Sequence, residues 1–186
     1  IDIGRRAGVP VQYSHMAIID SRLYGRGALV TDVVENASAA GQDVTYDMYP
    51  YTAAGTHLQQ LIPELVQEGG TEKMLERLRD TATRERAIQD TSRGWFRGLP
   101  WLWDTIVIAS TPPGKDRALI GMSVEQIAAE RYEKPAEALL RLIDEGSGET
   151  GCVMHNMNED DVKYFMTKPY AMFGSDGNSV SPTGIY

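Results

Sequence analysis

Short β-branched segments alternate with amphipathic helical ones along this chain, and almost no hairpin turn joins one strand to the next. No single motif constrains the fold as much. Strands separated by helices line up in parallel, as an open sheet or a barrel. The expectation is an α/β fold whose functional groups collect at the carboxyl ends of the strands.

The segments follow that rhythm. IDIGRRAG at the start reads as the last turns of a helix closing at Gly8. Residues 9–14 form a strand, and residues 27–40 carry Leu29, Val30, Val33, Val34 and Ala37 at helical spacing. Residues 43–48 form a second strand, closed by Tyr49-Pro50-Tyr51, where proline restricts Tyr49 to extended geometry and ends the ladder. From Thr52 to about Trp103 the periodicity turns helical and irregular, broken at Gly69-Gly70, and residues 57–103 read as a helical insertion over the strand ends. A strand at 105–109 is followed by Ser123 and Gln126, a capping-box spacing that opens a helix. Pro135 opens the next helix, with Ala136, Leu139, Leu140, Leu142 and Ile143 as its apolar face and Gly146 as its stop. A buried strand at 151–154, a short helix at 159–167 and a last strand at 170–173 lead to Gly174-Ser175-Asp176-Gly177, and SVSPTGIY ends the chain as a loop.

Charge and composition exclude several classes. A net charge of -8 works against a broad phosphate-binding surface, so nucleic acid is not an expected partner. Cys152 is the single cysteine, which leaves no intrachain disulfide and no demand for an oxidising compartment. No apolar run has the length of a membrane span and no signal segment opens the chain, so a cytoplasmic protein is expected. Both ends read as cut, which suggests part of something longer.

His15, Tyr49 and Asp176 all fall at strand ends. A neutral imidazole and a carboxylate there suit zinc, which takes nitrogen and oxygen ligands and activates water. Asp176 can bind the metal, take a proton from that water, or do both. Plainer readings stand beside these: His15 as a hydrogen-bonded structural group, Asp176 as a turn or cap residue, and Tyr49 as packing against the sheet. His57 and His155 carry weaker signals. Met154, Met157, Met166 and Met172 read as core filler. Trp95, Trp101 and Trp103 either line an acyl pocket or pack the insertion in place.

Strung in order, GRRAGVPVQYSH, GRG, DVTYDMYPYTA, IAAERYEKPAEALL, MNEDDVKYFM and MFGSDG resemble the N-acyl-D-amino-acid deacylases (D-aminoacylases) of the amidohydrolase superfamily. The likeness covers most of the chain and is weakest over residues 57–103. It implies a zinc-bearing distorted (β/α)8 barrel of the TIM type. This chain would be its C-terminal half with the insertion, and the family's small β-sandwich domain would lie outside it. The implied reaction is hydrolysis of the amide in N-acyl-D-amino acids or related N-acyl compounds. His15 matches the family's metal-ligand histidine and Asp176 its catalytic, metal-side aspartate. Zinc would polarise the carbonyl and acidify its water, while Asp176 removes a proton and returns it to the leaving amine. Tyr49 would hold the substrate carboxylate.

The departures are as informative. Where the family carries a lysine for that carboxylate this chain has Ala17, and the family's serine falls on Gly55, with Thr56 beside it as a substitute. Losing a cationic partner for a desolvated carboxylate costs roughly 2–5 kcal/mol of binding, which points away from an ordinary N-acyl-D-amino acid. An amidohydrolase acting on an uncharged or cyclic amide, and a non-catalytic barrel fragment, are the alternatives. The resemblance places further ligands for one or two Zn2+ ions before Ile1 and an arginine beyond Tyr186. The remaining barrel strands would come from a longer chain or another subunit.

Overall fold

A computed structural model of the chain describes residues 1–96 and 98–177; the terminal loop expected over 179–186 lies outside the described residues. Two compact units are present. One comprises Ile1–Thr52 and the described residues from Asn156 onward, the other Ala53–His155.

The first unit contains α1 (Asp2–Ala7), β1 (Val11–Tyr13), α2 (Ala28–Ala39) and β2 (Val44–Met48). The second contains β3 (Ala54–His57), α3 (Glu64–Gln67), α4 (Thr71–Arg79), α5 (Thr81–Ser92), β4 (Ile106–Ser110), α6 (Val124–Glu130), α7 (Pro135–Glu145) and β5 (Gly151–Met154). The chain then re-enters the first unit as α8 (Glu159–Met166) and β6 (Ala171–Phe173).

In the first unit β1, β2 and β6 form a parallel sheet with β2 in the centre, Val11 opposite Val44 and Tyr46 opposite Ala171. Alternation along β2 buries Val44, Tyr46 and Met48 and turns Thr45 and Asp47 to the other face. The buried set packs with Val34 of α2 and with Val162 and Phe165 of α8. Tyr46, fully buried, keeps its hydroxyl satisfied by donating to the Phe165 carbonyl at 2.8 Å. The short GRG segment has two jobs in this packing. Gly25, at φ 76°, donates its N–H to Asp161 Oδ2 at 2.8 Å. At Gly27 a Cβ would sit 2.4 Å from the Tyr164 ring, so only glycine lets the two surfaces meet.

A polar cluster ties α2 to the start of β6. Glu35 accepts from Tyr170 and, at 3.1 Å, from Lys168, whose ammonium lies 4.6 Å from the centre of the Tyr164 ring. The Tyr170 hydroxyl first, and Lys168 second, hold the Glu35 carboxyl below its ordinary range. A lowered folded pKa contributes stability above the unfolded value and loses it as pH falls through the folded one. Glu35→Gln is therefore expected to flatten the acid side of the stability curve without changing the neutral plateau's slope. Urea midpoints measured down through the carboxylate range check this, and an unchanged acid limb would show that the cluster contributes nothing.

The second unit departs from the parallel expectation. β5 is central and antiparallel to both neighbours, with Cys152 opposite Thr56 on one side and Ile108 on the other. The strands read at 105–109 and 151–154 exist, but the connection through α6 and α7 is long enough to return the chain in either direction. Pairing direction is therefore not a local property. β3 was hidden inside the segment read as helical, because AGTH holds one β-branched residue in four. Helices α3, α4 and α5 do lie within residues 57–103, in a unit that runs on to His155.

Local helix signals act as the sequence suggests. Ser123 and Gln126 form the reciprocal capping box of α6, and Pro135 opens α7. Leu139, Leu140 and Ile143 of α7 are fully buried in a core with Ile108, Cys152 and Met154. Trp101 stacks between Trp95 and Trp103, at 6.2 and 4.4 Å between ring centres, and all three are partly buried against that core. Of the methionines read as core filler, Met154 is buried, but Met166 and Met172 are 42% and 40% exposed. Helical and strand alternation turns those two outward. Among the described residues no helix is long and apolar enough to cross a membrane.

Candidate functional site

Because β1, β2 and β6 run in one direction, their carboxyl ends emerge together. His15 follows β1, Tyr49 follows β2 and Asp176 follows β6, so His15 and Asp176 flank the central strand. The Gly174 N–H donates to the Met48 carbonyl at 3.0 Å and carries the β6 pairing past the end of the strand. His15 and Asp176 both adopt left-handed backbone, at φ 42° and 46°. Such a conformation costs about 1–3 kcal/mol per residue, and His and Asp are among the types that tolerate it.

At His15 the cost is offset by Asp47, a residue that the sequence reading did not single out. Asp47 Oδ1 accepts the His15 N–H at 2.7 Å, Oδ2 accepts from Gln12 at 2.6 Å, and its carbonyl accepts the Met16 N–H at 2.8 Å. The His15 N–H, as the main cause, holds the Asp47 carboxyl below its usual range. The available signal was the alternation of VTYDM, which puts a carboxylate on the less buried face one residue before the strand ends. Asp47→Ala is expected to speed amide exchange at His15 about tenfold, as loss of about 1.4 kcal/mol of hydrogen bonding would. Asp47→Asn keeps an acceptor oxygen and should restore most of the protection.

Tyr49 is half-buried and stacks on Tyr51 with ring centres 6.0 Å apart. Burial first, then the charge of Asp176, push its phenol up, so it stays protonated and able to donate. A shallow depression, with room for about one water and open to solvent, is lined by Met16, Ala17, Tyr49, Met157, Asn158 and Asp161 among others. Asp161 is 3% exposed and was also missed, since its only local signature is a place in the first turn of α8.

Thr56 belongs to the second unit, in the middle of β3 opposite Cys152, and Gly55 lies opposite Val153. His57 closes β3, and His155 follows β5 and donates its N–H to the Thr105 carbonyl at 3.0 Å. Zinc takes three or four protein donors. His15 and Asp176 have the right chemistry, but among the described residues no three His, Cys, Asp or Glu side chains come together as a metal site. These residues alone do not make up a zinc centre.

No protein-family model matches the chain. A curated D-aminoacylase of Alcaligenes xylosoxydans xylosoxydans is 26% identical over 175 residues, covering 94% of this chain and 27% of the relative. A crystal structure of D-aminoacylase matches with a TM-score of 0.63 and 27% identity over 95% of this chain and 28% of that one. The N-acyl-D-glutamate deacylase of Bordetella bronchiseptica, solved with zinc and a phosphonate mimic of the tetrahedral intermediate, shares the fold. Its TM-score is 0.63 at 24% identity, over 95% of this chain and 28% of that one. The chain resembles D-aminoacylases along nearly its whole length and spans little more than a quarter of theirs.

Proposed function

We propose that this chain forms part of the active site of a metal-dependent amidohydrolase that cleaves the amide bond of N-acyl-D-amino acids or related N-acyl compounds. One observation carries the reading: His15, Tyr49 and Asp176 gather at the carboxyl ends of three adjacent parallel strands in a chain that resembles D-aminoacylases. In α/β folds that is where ligands bind. The parallel sheet with its outer helices is then a segment of a (β/α)8 barrel, and the second unit includes the insertion.

The roles follow from the chemistry of each group. Asp176 accepts a proton from the water that attacks the acyl carbonyl and passes it to the departing nitrogen, which leaves as a neutral amine. Tyr49 donates its phenolic hydrogen to the bound substrate. His15 is a metal ligand, with Asp176 as a further donor. One or two zinc ions are the metal in this reading, and their other donors come from outside the described residues.

Zinc content and release of free amino acid from an N-acetyl-D-amino acid, measured on this chain and on a longer chain containing it, test the reading. Zinc and hydrolysis should appear together. Stoichiometric zinc without hydrolysis across a panel of N-acyl substrates would sink it.

A further inference from the structure

The end of the central strand β2 holds both of its neighbours as they leave the sheet. Asp47 fixes the chain after β1, with its carboxylate on the His15 N–H at 2.7 Å and its carbonyl on the Met16 N–H at 2.8 Å. Met48 fixes the chain after β6 through its carbonyl, which accepts the Gly174 N–H at 3.0 Å. Of these contacts only the one to His15 is made by a side chain, so it is the one that a substitution can remove.

That side chain is itself held. Oδ2 of Asp47 accepts from the Gln12 amide at 2.6 Å, and the Ser14 hydroxyl is a further donor to the carboxylate. Gln12 pairs in register with Thr45 and reaches forward along the sheet to meet Asp47. His15 is exposed, and its backbone is left-handed at φ 42°, a conformation that a histidine without a partner leaves readily. Rotation about φ swings the imidazole with the Cα–Cβ bond, so the Asp47 bond fixes the direction in which His15 is delivered.

We propose that Asp47 is a positioning residue of the strand-end site, which holds the His15 backbone in its left-handed conformation ready for a metal ion and gives that ion no donor of its own. This rests on the reading of His15 as a metal ligand and deepens it by naming what orients the ligand. A ligand already held in place pays no ordering cost when the ion arrives, which is why partners that orient metal ligands matter nearly as much as the ligands. Gln12 has the same role one step removed, since it fixes the carboxylate that fixes His15.

Asp47→Asn tells a positioning role from a ligand role. Asparagine keeps an oxygen for the His15 N–H and, with the Gln12 amide turned over, keeps the second bond, but it lacks the anionic donor of a metal ligand. Asp47→Ala loses both bonds. In this 186-residue chain without metal, the coupling and the nuclear Overhauser effect between the amide and α hydrogens of His15 report φ. They should keep the left-handed signature in wild type and Asp47→Asn, and move toward extended values in Asp47→Ala. In a longer chain containing this one, zinc affinity read by chelator competition should fall about 10–100-fold in Asp47→Ala and stay within about threefold of wild type in Asp47→Asn. Gln12→Leu should fall between the two. Zinc lost as fully in Asp47→Asn as in Asp47→Ala would make Asp47 a ligand and overturn the proposal. An unchanged His15 signature, or unchanged zinc affinity, in Asp47→Ala would overturn it as well. A wild-type longer chain that takes up no zinc would instead count against the catalytic reading, and the His15 signature would still decide whether Asp47 holds the backbone.

Discussion

Asp176→Asn is expected to lower the rate of amide hydrolysis by about 10²–10⁴-fold, the contribution of a positioned general acid–base. Asparagine cannot accept the proton from water, but it tolerates the left-handed backbone that Asp176 adopts at φ 46°. Fold and substrate binding should survive, so the loss should fall on kcat with KM little changed. Zinc content measured in parallel separates two roles. Retained zinc with lost rate marks a proton-transfer role, whereas lost zinc marks a ligand role. Asp176→Ala, which adds backbone strain at the same position, is the comparison for structural damage. A variant with full rate and full zinc would reduce Asp176 to a turn residue.

Phe165→Ala is expected to cost the first unit about 3–5 kcal/mol. Phe165 is 1% exposed, meets the Tyr46 ring edge-on with centres 6.2 Å apart, and supplies the carbonyl that satisfies the buried Tyr46 hydroxyl. Truncation opens a cavity directly against β2, the strand that both His15 and Asp176 flank. Urea unfolding followed by amide exchange within Val44–Met48 reads the effect. Tyr46→Phe removes one hydrogen bond and no volume, so it should cost about 1 kcal/mol. Equal losses in the two variants would mean that the cavity, and with it the packing account, is wrong.

The strand-end positions of the candidate residues were legible because such placement is local. A strand of β-branched residues that runs into Ser14-His15, or into Tyr49-Pro50, delivers those residues at its exit whatever the rest of the chain does. Ser123 with Gln126, and Pro135, are also local, since each acts on backbone groups a few residues away. Asp47 was not legible as a clamp, because its partner His15 lies 32 residues earlier. Asp161 was even less so, with its partner Gly25 136 residues away. The exposed Met166 and Met172 were misread for the same reason, as composition does not say which face an element buries.

From the sequence alone came the strand–helix rhythm, the strand-end positions of His15, Tyr49 and Asp176, the helix caps, and the likeness to D-aminoacylases. Tertiary structure alone decided that β1, β2 and β6 are neighbours while β4 and β5 run antiparallel, that Thr56 belongs to the second unit, and that a buried carboxylate lines the depression at Ala17. The division has a physical cause. Propensity, capping and proline geometry act over a few residues and are written in adjacent letters, whereas strand direction and the company of a buried carboxylate depend on which distant segments pack together to exclude water.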